Sequence, residues 1–445
     1  MFVAFFAVYL IAVALNVMAL RKVNLARLTF YDGILLGMTY YITIPMFAVL
    51  LAGRIGPGFI PIEDYKPFEQ TETTLILIGS IAAFSIVRLL MPRRASTTPV
   101  NVYPVGLLTG VLFALYLATT ITTFVAAGIG SGGHWFRASH ELMEQNAGFV
   151  IIKHISNFTR TALFGCLAVL ATRSRGMGRI ALVAGLLLCL FDLLTTFNRV
   201  TLVYYLILVL VCFRRHALVA CAGLMLFLYT GAYTSTAFTM FRSQVSVYGY
   251  SLSGFASAAD AAIRYSAEGE PFVDAMNGVF ESINITVFNY VVQHQQELDV
   301  SPSAYFVRPL TVLLPRAILP DRPPPFALVL GEHITKSDSL ALNSTLFGEP
   351  YGSSPLASPL MLGIVLLLYH LAYRGLGRSS QAIEPMAAFI GFAFWRFDSS
   401  FAVIALTFTA LIHFGLLIAA MGTRDLTRSR RRAPMPGSVS QGAPR

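Results

Sequence analysis

Two charged residues stand where charge is expensive. Asp192 lies inside an apolar run at 179–197, and Arg199 follows seven residues later. Seven residues make two helical turns, so the two side chains can share one helix face. Ionisable groups at membrane depth face a cavity or a partner. The pair therefore reads as an anion site open to one surface, or as an arginine snorkelling to the headgroups. Arg160 lies in the preceding apolar run, beyond Lys153 and His154. It reads as a contact to lipid phosphate or as half of a structural ion pair. Trp395-Arg396-Phe397 ends another apolar run and reads as an interfacial anchor. Arg88 reads as a snorkelling residue.

A second group of cations lies in the one long hydrophilic segment, 241–356. Arg308, Arg316 and Arg322 recur along a mostly apolar stretch, and Pro323, Pro324 and Pro325 follow. Three prolines force extended backbone. A guanidinium binds phosphate bidentately, so arginines beside membrane-hugging helices suit headgroup recognition. Further on come Gly331-Glu332-His333 and Gly348-Glu349-Pro350-Tyr351-Gly352. Metal chemistry has weaker support. Glu63-Asp64 is an isolated acidic pair. His134, Arg137, His140, Glu141 and Glu144 fall in a Gly-rich loop that reads as a cover over a cavity. No phosphate-binding loop, dinucleotide fingerprint or zinc spacing is present.

The elements that must position these residues are membrane helices. Of 445 residues 56% are hydrophobic and 12% charged, with mean hydropathy +0.68. That excludes a soluble enzyme, a disordered chain and a disulfide scaffold. Apolar runs near 2–20, 30–53, 73–92, 104–126, 148–171, 179–197, 200–213, 217–240, 357–374, 381–397 and 400–422 predict an all-α polytopic protein of about 11 transmembrane helices. Spans occupy 1–240 and 357–422. Residues 241–356 form a large extracytoplasmic helical loop, with helices predicted at 253–266 and 271–296, and 423–445 a disordered cytoplasmic tail. The 34 residues between Arg179 and Arg214 are too few for two full spans. They predict a hairpin of two short helices, with Asn198-Arg199 at its tip. With the N-terminus outside, every inside segment is basic, and together the inside segments hold more than half of the 32 Lys and Arg residues. The net charge of +10 thus follows from topology and calls for no nucleic acid. Cys166, Cys189, Cys212 and Cys221 lie in apolar runs and read as small core residues.

The hairpin tip Asn198-Arg199, the run Leu314-Pro315-Arg316 with Pro320-Asp321-Arg322-Pro323, and Gly348-Glu349-Pro350-Tyr351-Gly352 occur in an order that resembles the Wzy-type O-antigen and oligosaccharide repeat-unit polymerases of bacteria. The likeness covers roughly 180–375 by motif and the whole chain by span layout. It departs at Phe197-Asn198, where that family often has Gly-Ser, and at Arg322, where Lys is frequent. The resemblance implies an enzyme of the bacterial inner membrane, with a periplasmic N-terminus and a cytoplasmic C-terminus. It implies inverting, metal-independent and cofactor-free glycosyl transfer between undecaprenyl-pyrophosphate-linked glycans, amid membrane lipids. A chain-length regulator is the protein partner to look for. Arg199, Arg316, Arg322, Arg308 and Arg160 are then candidates for the pyrophosphate, and Glu349 and His333 for the base. Arg316, Arg322 and Glu349 are expected to converge on one site. Two other readings remain: an O-antigen ligase with the same donor, and a flippase for lipid-linked oligosaccharide, which short loops and internal repeats would favour.

Overall fold

The computed structural model describes residues 1–56, 60–91, 104–126, 147–196, 200–216, 223, 251–267, 280–312, 314, 319, 321–336, 340–378, 380–397 and 399–432. The described chain is helical. Its one β pairing is an isolated bridge between Ile55 and Tyr65. Eight described helices are long and apolar enough to cross a membrane. They are α1 (Phe2–Leu20), α2 (Phe30–Ala52), α3 (Thr71–Leu90), α4 (Val105–Ala126), α5 (Ala147–Arg173), α6 (Arg175–Thr195), α13 (Ser358–Gly377) and α15 (Ser399–Arg432). Two of the predicted spans are shorter. α7 (Val200–Cys212) has 13 residues and α14 (Ile383–Ala393) has 11. At 1.5 Å per residue each falls well short of a ~30 Å hydrocarbon layer. The predicted span at 217–240 lies outside the described residues.

The hairpin at 179–214 takes a different form from the one expected. Ser174 caps α6 by accepting a hydrogen bond from the Met177 amide at 3.2 Å. The helix therefore starts at Arg175, and Arg179 lies in its second turn. That gives α6 a full 21 residues, and only α7 is short.

α5 is the centre of the bundle. In its apolar window 78% of residues are buried, against 22% in α1, which packs on α3 and faces outward elsewhere. α14 lies between α2 and α5, and every residue from Pro385 to Trp395 is buried. Two glycines let the backbones meet. A methyl on Gly33 would lie 1.8 Å from the Ala388 carbonyl oxygen, and one on Gly165 2.5 Å from Met386 Cα. Small residues at such crossings allow the close packing that drives membrane-helix association. A chain that turns against packed apolar helices must satisfy its own backbone. Here the amides of Phe394, Trp395, Arg396 and Phe397 bond the last carbonyls of α14 at 3.0–3.3 Å.

α2 is interrupted by a π turn at Thr39–Thr43. Pro45 lacks an amide hydrogen, and its ring crowds the carbonyl four residues back, so the regular ladder cannot continue. The turn lets Thr43 O accept from the Tyr9 hydroxyl at 2.6 Å.

Between α7 and α13 lie α8 (Leu252–Ala267), α9 (Ile283–His294), α10 (Pro302–Thr311), α11 (Phe326–Thr335) and α12 (Thr345–Ser353). Of the helices expected at 253–266 and 271–296, the first is present, and the described part of the second is α9. Pro325 has φ −58° and ψ 134°, the extended form expected of the proline triplet. α9 and α11 share a small core of their own: Val287, Val291, Phe326, Leu330 and Ile334, with Ile60 from the α2–α3 connection. Phe2 meets Phe68 of that connection, at 5.4 Å between ring centroids, so the N-terminus lies at the end of the bundle that carries this core. Cys166, Cys189 and Cys212 are free thiols, the first two buried.

Candidate functional site

The candidate site is a cleft where α10, α11 and α12 meet α13 and the turn after α14. Its polar lining includes Asn343, Ser344, Glu349, Arg396 and Ser399, and its apolar lining Tyr305, Phe326, Leu362, Val365, Leu366 and Phe394. Leu366 lies eight residues into α13, about 12 Å along a helix rising 1.5 Å per residue. The cleft thus runs from the ends of the spans down along the side of one.

Glu349 is held at the start of α15. Its Oε2 accepts from the Ser399 amide at 3.1 Å and its Oε1 from the Ser399 hydroxyl at 3.0 Å. The first amides of a helix have no partner within the helix, and its dipole favours negative charge there. The carboxylate therefore has a fixed direction. Its charge, after burial itself, pushes the Tyr305 hydroxyl well above the usual phenol range.

Arg396 follows α14 and lines the same cleft. Its Nη2 lies 3.1 Å from Glu281 Oε1, with the two side chains 22% and 17% exposed. The neighbouring Trp395 is buried and donates to Ile34 O at 2.9 Å. The reading of Trp395-Arg396-Phe397 as an interfacial anchor is therefore corrected: the run that carries it is short, Trp395 packs inside the protein, and Arg396 pairs with Glu281 rather than with headgroups. That shortness of the apolar run is the signal the sequence offers. Glu281, 115 residues away in sequence, offers none.

The other candidates are placed as follows. Arg199 and Arg316 lie outside the described residues, as do His134, Arg137, His140, Glu141 and Glu144. Arg308 is buried on α10, one turn from Tyr305, and donates to the Pro323 carbonyl. Arg322 Nη1 donates to the carbonyls of Thr311, Val312 and Leu314 at 3.4, 3.1 and 3.0 Å. It caps the end of α10, and neither arginine lines the cleft. His333, on α11, meets the Tyr290 hydroxyl at 2.9 Å and is also absent from the lining. Glu349 shares its cleft with Arg396, and the expected convergence of Arg316, Arg322 and Glu349 includes Arg316, which lies outside the described residues.

Arg160 is enclosed. Its Nη1 lies 3.0 Å from Asp192 Oδ2, and the side chains are 4% and 0% exposed. Asp192 also accepts from Tyr116 at 2.8 Å, Thr196 at 2.9 Å and Thr201 at 3.1 Å. Of the two readings given to Arg160, this geometry is the structural pair. Arg88 does not snorkel: its Nε lies 2.8 Å from Asp32 Oδ1, and its Nη2 donates to Lys22 O at 2.9 Å. Asp32 also closes the capping box of α2 with Thr29. Asp64 pairs loosely with Arg54 at 3.8 Å. Among the described residues no group of three His, Cys, Asp or Glu could hold a metal ion.

A polar rim over an apolar wall suits an amphipathic molecule, and a fixed carboxylate that shares the cleft with a guanidinium suits proton and anion handling. Comparison with known protein families, with curated proteins and with solved structures finds no match to this chain.

Proposed function

We propose that the protein joins pyrophosphate-linked lipid oligosaccharides, as an O-antigen or oligosaccharide repeat-unit polymerase does. The observation that carries this reading is the cleft itself. Its polar rim holds Glu349 and Arg396 at the span ends, and its wall of Leu362, Val365 and Leu366 continues into the bilayer region. A substrate with an anionic, hydroxyl-rich head and a long apolar tail matches the chemistry of both parts. In this reaction an acceptor sugar hydroxyl attacks the anomeric carbon of the donor glycan. The new C–O bond forms as the bond to pyrophosphate breaks, and the polyprenyl pyrophosphate leaves with the electron pair. Glu349 accepts the hydroxyl proton, directed by its bonds to Ser399. Positive charge at the pyrophosphate stabilises the leaving group as its charge grows.

The same reading places the N-terminus and 241–356 outside the inner membrane and the basic tail inside, because the inside connections are then all basic. Impermeant thiol labelling of a cysteine introduced at 260 or 440 in spheroplasts tests that; labelling at 440 alone would reverse the topology. The activity is tested with purified protein in vesicles holding the lipid-linked repeat unit of the producing cells. A ladder of polymer with matching release of polyprenyl pyrophosphate is expected. Transfer of intact glycan to lipid A core would identify a ligase. Transbilayer movement without bond formation would identify a flippase.

A further inference from the structure

We infer that Arg396, oriented by Glu281, is the guanidinium that receives the pyrophosphate of the lipid-linked substrate. The inference rests on the lipid-linked reading of the cleft and adds to it a residue that the sequence motifs did not supply. Three departures from regular backbone converge on this side chain. α14 stops after 11 residues, and its turn delivers Arg396 to the cleft. Glu281 adopts φ 50°, a left-handed conformation that a glutamate rarely takes. The π turn of α2 presents Tyr40 and Tyr41, whose rings flank Phe392 at 5.8 and 5.4 Å between centroids, and Tyr40 also meets Phe280 at 4.9 Å. Phe280, next to Glu281, and Phe392, one helical turn before Arg396, are therefore packed on the irregular turn. Local strain and π turns both concentrate at functional sites.

Three other arginines considered for the anion do not line the cleft. Arg160 faces an aspartate that already has three hydroxyl donors, Arg322 caps a helix and Arg308 holds the proline turn. Arg396 differs because it lines the cleft and is partly exposed. A planar fork oriented by a carboxylate keeps its direction when a phosphate arrives, which a flexible ammonium does not. Arg308 and Arg322, on or beside the helix that carries Tyr305, add positive charge that offsets Glu281 and Glu349. The ligand chemistry is a pyrophosphate on an apolar chain, with the chain along Leu362, Val365 and Leu366.

The test is equilibrium binding to purified protein in nanodiscs with three probes: undecaprenyl pyrophosphate, undecaprenol and inorganic pyrophosphate. The wild type is expected to prefer undecaprenyl pyrophosphate to both others by at least about tenfold, since only it engages charge and tail together. Arg396→Gln should remove that preference over undecaprenol and leave undecaprenol binding unchanged. Arg396→Lys should retain part of it, and Glu281→Gln should weaken it several-fold. A wild type that does not distinguish undecaprenyl pyrophosphate from undecaprenol overturns both this inference and the lipid-linked reading. A wild type that does, with Arg396→Gln within twofold of it, overturns the inference alone. If Arg396→Gln fails to fold, Arg396→Lys decides: unchanged affinity rejects the role, and a loss of threefold or more supports it.

Discussion

The molecule contains two ion pairs of the same chemistry and opposite character. Arg160–Asp192 is closed on all sides, and its carboxylate accepts from three hydroxyls as well. Arg396–Glu281 has nearly the same separation, yet it is partly exposed and lines a cleft. The first joins α5 to α6, with Thr201 bringing in α7. The second lies where a helix has stopped short. Burial, rather than residue type or distance, separates the two, because only the second borders a cleft.

The sharpest way to break that contrast is to remove one carboxylate from each pair. Asp192→Ala should destabilise the protein by about 3–5 kcal/mol, since it strands a buried guanidinium. Glu281→Ala should cost less, because that pair is less completely buried. Equal losses in unfolding measured in detergent would erase the distinction. The next effect is on rate. Glu349→Gln keeps an oxygen for the Ser399 hydrogen bonds but loses the base, and should lower turnover of lipid-linked repeat units about 10²–10³-fold, the scale of losing one catalytic contact. Turnover near wild type would remove Glu349 from the reaction. Gly165→Ala would sharpen the packing half of the comparison. Its methyl collides with the backbone of α14, so a loss of about 1–3 kcal/mol is expected. A shift in undecaprenyl pyrophosphate affinity should accompany it if α14 positions Arg396. The smallest effect concerns Tyr351, which donates to Glu72 at 2.8 Å near the cleft. Burial first, and that bond second, push its hydroxyl up to about 12 from 10.0. The folded chain therefore favours the protonated form. The contribution is complete below pH 10 and is lost as pH rises through about 12. Tyr351→Phe should cost under about 1 kcal/mol and remove this part of the alkaline response, followed by phenolate absorbance.

Much of the fold is legible in the amino-acid sequence. Eight of the eleven apolar runs are helices of spanning length, because some 20 apolar residues can satisfy both lipid and backbone in no other way. Glu349 is legible as a residue close to a span end, from its place just ahead of Ser358. Its partner is not. Ser399 is 50 residues further on, and no local pattern announces a carboxylate that caps a helix from another segment. Arg88 and Arg160 are legible as charges at depth. That they face Asp32 and Asp192 depends on helix rotation, which apolar spans with little amphipathic bias do not encode locally.

The sequence by itself determined the class of protein, the existence and rough limits of most helices, and the basic bias of alternate connections. These follow from transfer free energy and backbone hydrogen bonding, which act residue by residue along the chain. Only the tertiary structure decided that α14 stops inside the bundle, that Arg396 meets Glu281 rather than lipid, and that Arg322 ends a helix rather than lining the cleft. Those outcomes depend on which surfaces pack, down to the space left by Gly33 and Gly165. Close packing is a property of pairs of helices distant in sequence, and it is settled only when they meet.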